Sequence, residues 1–194
     1  MRHLLVSAAA IACAQFAPAK AQTSAPVAVT AEKLAPGVAV LFGQGGNIGV
    51  SYGGDGTVLV DDQFAPLTPA IQAAVAELGA APVKYLINTH WHYDHTGGNE
   101  NFGKAGALIL AHDNVRIRMA AGATVGGRVV PPATKVALPV VTYDQGLKVH
   151  LNGDEVRTVH LPNGHTDGDS IVIWRSANVV HMGDLFFKIG RAHV

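Results

Sequence analysis

The run His90-Trp91-His92-Tyr93-Asp94-His95 packs three imidazoles and a carboxylate into six residues, directly after the apolar segment Val83-Lys84-Tyr85-Leu86-Ile87-Asn88. Alternate positions of an extended chain point the same way. His90, His92 and Asp94 are therefore expected to converge on one side, with His95 turned toward a neighbouring point. Neutral imidazole nitrogens together with a hard carboxylate oxygen suit Zn²⁺, with Fe or Mn as alternatives. Ligands facing two slightly different points suggest two adjacent metals sharing a bridging water.

The pattern His-x-His-x-Asp-His after a buried-looking strand, continued by Thr96-Gly97-Gly98-Asn99, resembles the metal-binding signature of the metallo-β-lactamase-fold hydrolase superfamily. The likeness runs from about Pro36 to Lys188 and so covers most of the chain. It implies an α+β fold, a four-layer αβ/βα sandwich with its metal site along one edge, incomplete at the C-terminus.

Both ends of the chain read as something other than this domain. Arg2 and His3 form a short positive region, Leu4 to Ala17 is mostly apolar, and Ala19-Lys20-Ala21 fits a signal-peptidase site. Residues 1–21 are therefore expected to be a secretory signal, with Gln22 the first mature residue and a periplasmic or secreted destination. Cys13, the only cysteine, falls in that segment. The mature chain then has neither a disulfide nor a cysteine ligand, which is compatible with an oxidising compartment. The signal is too short and too weakly apolar for a membrane span, so no transmembrane segment is expected in the mature chain. At the other end, Ile189-Gly190-Arg191-Ala192-His193-Val194 can be encoded by ATCGGAAGAGCACACGTC, the start of a widely used sequencing adapter. These residues are read as an artefact, and His193 is given no role.

Fourteen basic residues balance 14 acidic ones. With no basic block or stripe, no nucleic-acid partner is expected; the expected partner is a small-molecule substrate. A charged fraction of 14% and a hydrophobic fraction of 48% indicate a compact domain, taken as residues 36–188 after a flexible Ala/Thr/Pro-rich leader at 22–35. Strands are expected at Val38–Phe42, Ile48–Tyr52, Thr57–Val60, Val83–Asn88 and Ala107–Ala111. Further strands are expected at Val140–Tyr143, Leu147–Leu151, Glu155–His160, Ser170–Trp174 and Asn178–His181. Helical spacing marks Leu67–Leu78, and Asp113–Ala120 reads as a short helix. Ala121–Pro139, rich in Gly and Pro, reads as a long loop of the kind that is often functional. This order of elements suits two packed sheets with helices outside.

The resemblance also distributes the ligands. It gives His90, His92 and His165, the last from Gly164-His165-Thr166-Asp167-Gly168, to a first metal. It gives Asp94 and His95 to a second, with Asp184 of His181-Met182-Gly183-Asp184 bridging. Two Zn²⁺ are implied for the complete protein. The second metal normally takes one more histidine from a later strand, and no candidate follows Asp184 before the adapter-like tail. The chain as written is thus expected to hold its second metal weakly. Zinc lowers the pKa of bound water from about 15.7 to near 7, so the implied chemistry is attack of hydroxide on a polarised carbonyl. Asp94 would orient the nucleophile and pass a proton to the leaving group. Asp61, closing Val58-Leu59-Val60-Asp61, is expected to support a ligand imidazole from behind, with Asp62 as its rival. His112, His150, His160 and His181 read as structural histidines, and Trp91 and Tyr93 as packing or rim residues.

Fold does not settle substrate. Within the family, Asp184 resembles the thioesterase, lactonase and general hydrolase branches more than the dizinc β-lactamases, which commonly carry Cys or Ser there. The expectation is a zinc hydrolase of a small ester, lactone, thioester or amide. The alternatives are a β-lactamase proper, a mononuclear-iron sulfur dioxygenase-like oxidoreductase, or an inactive metal-binding fragment.

Overall fold

The computed structural model describes residues 27–186. The signal-like residues 1–21, the first part of the leader and the tail 189–194 lie outside the described residues. Strands β1 (Thr30–Ala35), β2 (Val38–Phe42), β3 (Ile48–Gly53) and β4 (Gly56–Val60) form an antiparallel meander. The sheet continues in parallel through β5 (Val83–Ile87) and β6 (Leu108–His112). After a small hairpin of β7 (Ala123–Val125) and β8 (Arg128–Val130), it ends at β9 (Val141–Tyr143). A second, four-stranded antiparallel sheet comprises β10 (Lys148–Leu151), β11 (Asp154–His160), β12 (Ser170–Trp174) and β13 (Val179–His181). The helices are α1 (Thr68–Glu77), the single turn α2 (Tyr93–Thr96), α3 (Asn99–Lys104) and α4 (Asp113–Ala121).

The period-2 alternation of the strands divides the apolar residues between two cores. Leu41, Leu59, Leu86 and Ile109 face one side of the seven-stranded sheet and pack with Ile71 of α1 and Phe102 of α3. Their neighbours Val58, Val60, Ile87 and Leu110 face the other side and meet Val156, Val172 and Trp174 of the second sheet. Strands buried on both faces read as continuous apolar runs, and Val58-Leu59-Val60 is one. Trp174 reaches the facing sheet because Gly49 offers no side chain: a Cβ there would lie 2.4 Å from Cη2 of the indole. The described residues thus build helices on a sheet packed on a sheet, three layers of the expected sandwich.

The main differences from expectation lie where propensity was weak. Thr30–Ala35, assigned to a flexible leader, is strand β1, registered residue by residue on β2. Its Ala-Glu-Lys composition hid it, since an exposed edge strand needs no apolar face and gains from charge. The loop Ala121–Pro139 contains the β7–β8 hairpin, turned by Gly126 and Gly127 at φ 55° and 79°, the Gly-Gly signal of a tight hairpin.

Candidate metal centre

Strands β4, β5 and β6 run parallel, and their carboxyl ends open on one edge of the sheet. Such edges are where open α/β sheets bind ligands. Asp61 leaves β4 in a left-handed conformation (φ 63°) and is tied by its N–H to Ile87 O at 2.9 Å. Asn88, Thr89 and His90 leave β5 beside it. Beyond His92 the chain does not stay extended: it turns into α2, with His95 N–H and Thr96 N–H both bonded to His92 O at 3.1 Å.

That turn corrects the expected grouping. Asp94 does not join His90 and His92. The ligand-type atoms of His90, His92, His165 and Asp184 lie within 4.8 Å of one another, and those of Asp94, His95 and Asp184 form a second such group. A helical turn rotates Asp94 by about 100° per residue, where a strand would have kept it in line with His92. Asp184, on the short turn Gly183–Leu185 after β13, belongs to both groups. Its Oδ1 is 3.0 Å from His95 Nε2, and its Oδ2 is 3.5 Å from His165 Nε2 and 3.8 Å from His90 Nε2. The Nε2 of His165 sits 3.0 Å from Nδ1 of His92.

One carboxylate orients two of the rings. Asp61 Oδ2 accepts from His95 Nδ1 at 2.8 Å and from the Thr89 hydroxyl at 2.8 Å, while its Oδ1 accepts from Thr89 N. With its hydroxyl hydrogen committed to Asp61, Thr89 Oγ1 accepts from His90 Nδ1 at 3.0 Å. Each imidazole therefore spends its N–H behind the site and turns Nε2 inward. Both inward nitrogens are buried: His90 Nε2 has no hydrogen-bond partner, and His95 Nε2 faces Asp184 Oδ1 at 3.0 Å. A buried polar atom without a partner is costly. Each of these nitrogens faces the other donors of its own group, and N/O donor sets of this kind suit zinc, iron or manganese. The residues fit a metal.

Electrostatics agree. Burial lowers the His90 pKa to about 3, and the nearby His95 charge adds to the effect. Burial would lower His95 as well, but the Asp61 charge and the Asp184 contact outweigh it and lift the pKa to about 10. Burial pushes Asp61 and Asp184 up, and the charge and hydrogen bonds of His95 bring both below the usual value. The His95 ring thus lies between two carboxylates, Asp61 behind it and Asp184 in front, an arrangement that favours positive charge at this point.

The surrounding polar residues hold these pieces. The Asp62 carboxylate accepts from Gly98 N at 2.9 Å, and its own N–H bonds His95 O at 3.0 Å, so Asp62 anchors α2 and leaves the imidazole to Asp61. Asn88 and Asn99 exchange amide hydrogen bonds of 3.0 and 2.9 Å. Gly97 is needed because a Cβ there would sit 2.7 Å from Gln63 O and 2.8 Å from Tyr93 O. The His165 loop is closed by the buried Asp169 carboxylate, which accepts from the N–H and hydroxyl of Thr166. Arg118 and Asn114 of α4 bond Asp167 of the same loop. Thr89 and Asp169 were not singled out from the sequence, although Thr89 directly precedes His90 and Asp169 lies four positions after His165.

The remaining histidines lie outside both groups. His112 caps α4 by accepting from Asn114 N and stacks on His160 at 3.6 Å, and His160 donates to Asp169 O. His181 holds the β2–β3 turn through Asn47 O, while His150 lies exposed on β10. Trp91 packs edge-on to the His92 ring at 4.5 Å, and Tyr93 packs on Phe64 at 5.7 Å.

A family model described as the metallo-beta-lactamase superfamily matches residues 41–194. A protein of Drosophila melanogaster named beta-lactamase-like protein 2 homolog is 30% identical over 152 residues, covering 77% of this chain and 49% of that protein. A hydroxyacylglutathione hydrolase of Pelagibacter ubique is 28% identical over 109 residues, 56% of this chain and 38% of its own length. The chain spans less than half the length of these curated relatives. In structure, a subclass B3 metallo-beta-lactamase of Bradyrhizobium japonicum superposes with a TM-score of 0.64 at 23% identity, over 76% of this chain and 57% of that one. At this identity the likeness establishes the fold.

Proposed function

Because the chain belongs to the metallo-beta-lactamase superfamily, we propose that it is a zinc-dependent hydrolase of a small ester, lactone, thioester or amide. The observation that carries this is the pair of inward, buried Nε2 atoms of His90 and His95, the first without a hydrogen-bond partner, both oriented from Asp61 beside a carboxylate common to two donor groups. His90, His92 and His165 would hold a first zinc, Asp94 and His95 a second, with Asp184 shared. Zinc held there would supply ionised water near neutral pH and a Lewis acid for the carbonyl oxygen.

The chain's own residues provide the rest. Asp61 fixes the tautomers of two imidazoles before substrate arrives, so no reorientation is needed during the reaction. Asp94 is the most open carboxylate of the two groups, 45% exposed against 16% for Asp184. It is the group placed to hold a proton for a departing alkoxide, thiolate or amine. Among the described residues no helix is long and apolar enough to cross a membrane. The signal-like residues 1–21 make export part of the same proposal; recovery of uncleaved chain from the cytoplasm alone would remove that part.

The test is His92→Ala, with metal content and turnover measured together on p-nitrophenyl acetate, a homoserine lactone, a thioester and nitrocefin. The variant is expected to lose tight binding at the first group and nearly all hydrolysis. Unchanged turnover on every substrate that the parent hydrolyses would end the metallohydrolase reading. Iron rather than zinc in the purified parent would favour the oxidoreductase alternative.

A further inference from the structure

Resting on the metallohydrolase reading, we propose that the cleft between the β7–β8 hairpin and the segment Trp91–Glu100 receives the non-reacting end of the substrate. That end is an apolar body of aromatic size carrying an anionic group, and Arg128 pairs with the anion. The cleft has a volume of about 390 Å³, within the range of roughly 300–1,000 Å³ usual for small-molecule sites. Its walls are largely apolar or aromatic, with Trp91, Tyr93, Met119, Val130 and Pro132 among them. Trp91 and Tyr93 flank His92 in the chain, and the Trp91 ring touches the His92 ring at 4.5 Å. One side chain thus separates the cleft from the metal-type group.

Its charges select the sign of the occupant. Glu100 is neutralised by Lys104 at 2.7 Å, and Arg118 by Asp167 at 2.7 Å. Arg128 has no ion pair among the described residues; its guanidinium lies over the Tyr93 ring, 5.4 Å from the centroid. A guanidinium held over an aromatic face keeps N–H donors available for a carboxylate. The segment that follows the hairpin is tied down: Ala133 N–H bonds Met119 O at 2.8 Å and the Asn99 amide bonds Ala137 O at 2.9 Å. The wall is therefore formed before a ligand arrives.

The experiment compares 2-naphthoate with its neutral isostere 2-naphthamide by ligand-observed NMR on the metal-free full chain, where no metal can capture the carboxylate. Naphthoate is expected to bind more tightly than the amide. Arg128→Gln, an exposed substitution, should weaken naphthoate roughly five- to tenfold and leave the amide unchanged. Equal affinities for the two probes, or an unaffected variant, would overturn the proposal. In the zinc-loaded enzyme, Arg128→Gln should raise KM for an anionic aryl ester and leave kcat unchanged. Arg128-dependent naphthoate binding without any hydrolysis would sink the hydrolase reading and keep the cleft. Hydrolysis without such binding would sink the cleft alone.

Discussion

Asp61 and His95 lie 34 positions apart in the chain, yet Oδ2 of one and Nδ1 of the other meet at 2.8 Å with both side chains buried. The contact commits the imidazole hydrogen to the rear of the site and leaves Nε2 as the only atom of that ring able to ligate.

Asp61→Asn tests this orientation. The amide keeps the size but loses the charge, and it can present an N–H where His95 and Thr89 need an acceptor. Metal affinity is expected to fall about 10- to 100-fold, as read by competition with a chromophoric chelator. An affinity equal to the parent's would mean that other groups fix the tautomer.

The His90–His95 pair should contribute most to the stability of the metal-free protein near the ordinary histidine pKa of 6.5, and less on both sides. The His95 pKa is raised to about 10 in the folded protein. Its contribution is complete below 6.5 and disappears as pH climbs through 10, because the unfolded chain releases that proton first. The His90 pKa is lowered to about 3. Its penalty grows as pH falls from 6.5 toward 3, because only the unfolded chain can take up that proton. Thermal midpoints of chelator-treated protein from pH 4 to pH 10 check both limbs. A midpoint that rises steadily through pH 9 would contradict the His95 assignment.

Asp184 contributes to both donor groups, so one substitution should affect two metals. The parent chain is expected to bind one equivalent of zinc tightly and a second weakly, since the second group has only three protein donors among the described residues. Asp184→Ala should abolish the second equivalent and weaken the first. A variant that binds its first equivalent as tightly as the parent, measured by calorimetry, would show that the carboxylate is not shared.

Gly97→Ala probes the packing behind the ligands. The added methyl would meet Gln63 O, Tyr93 O and Phe64 Cα at 2.7–3.1 Å, all of them backbone atoms that cannot swing away. The backbone there is ordinary helix (φ −65°), so the cost is crowding alone, about 1–3 kcal/mol. Denaturant midpoints should show it, with Gly54→Ala, which points into open space, as the unaffected control.

The strands were readable because their periodicity follows directly from which faces are buried. Thr68–Glu77 and Val83–Ile87 lie within a residue of where spacing alone puts them. Strand β1 was not readable: its backbone is paired but its side chains face solvent, so no apolar pattern records the pairing.

The sequence by itself determined which residue types carry the chemistry. The imidazoles and carboxylate of His90–His95 sit on one short stretch of chain, and local sequence alone can bring such residues close. How they divide is a tertiary matter. The turn at α2 moves Asp94 away from His92, and Asp61, Thr89, His165 and Asp184 converge from the ends of different strands. That convergence depends on parallel strands ending together and on a second sheet packed against the first. The hydrogen-bonding order Asp61–Thr89–His90 depends in addition on burial, because only in the absence of water must each N–H and lone pair find a single fixed partner.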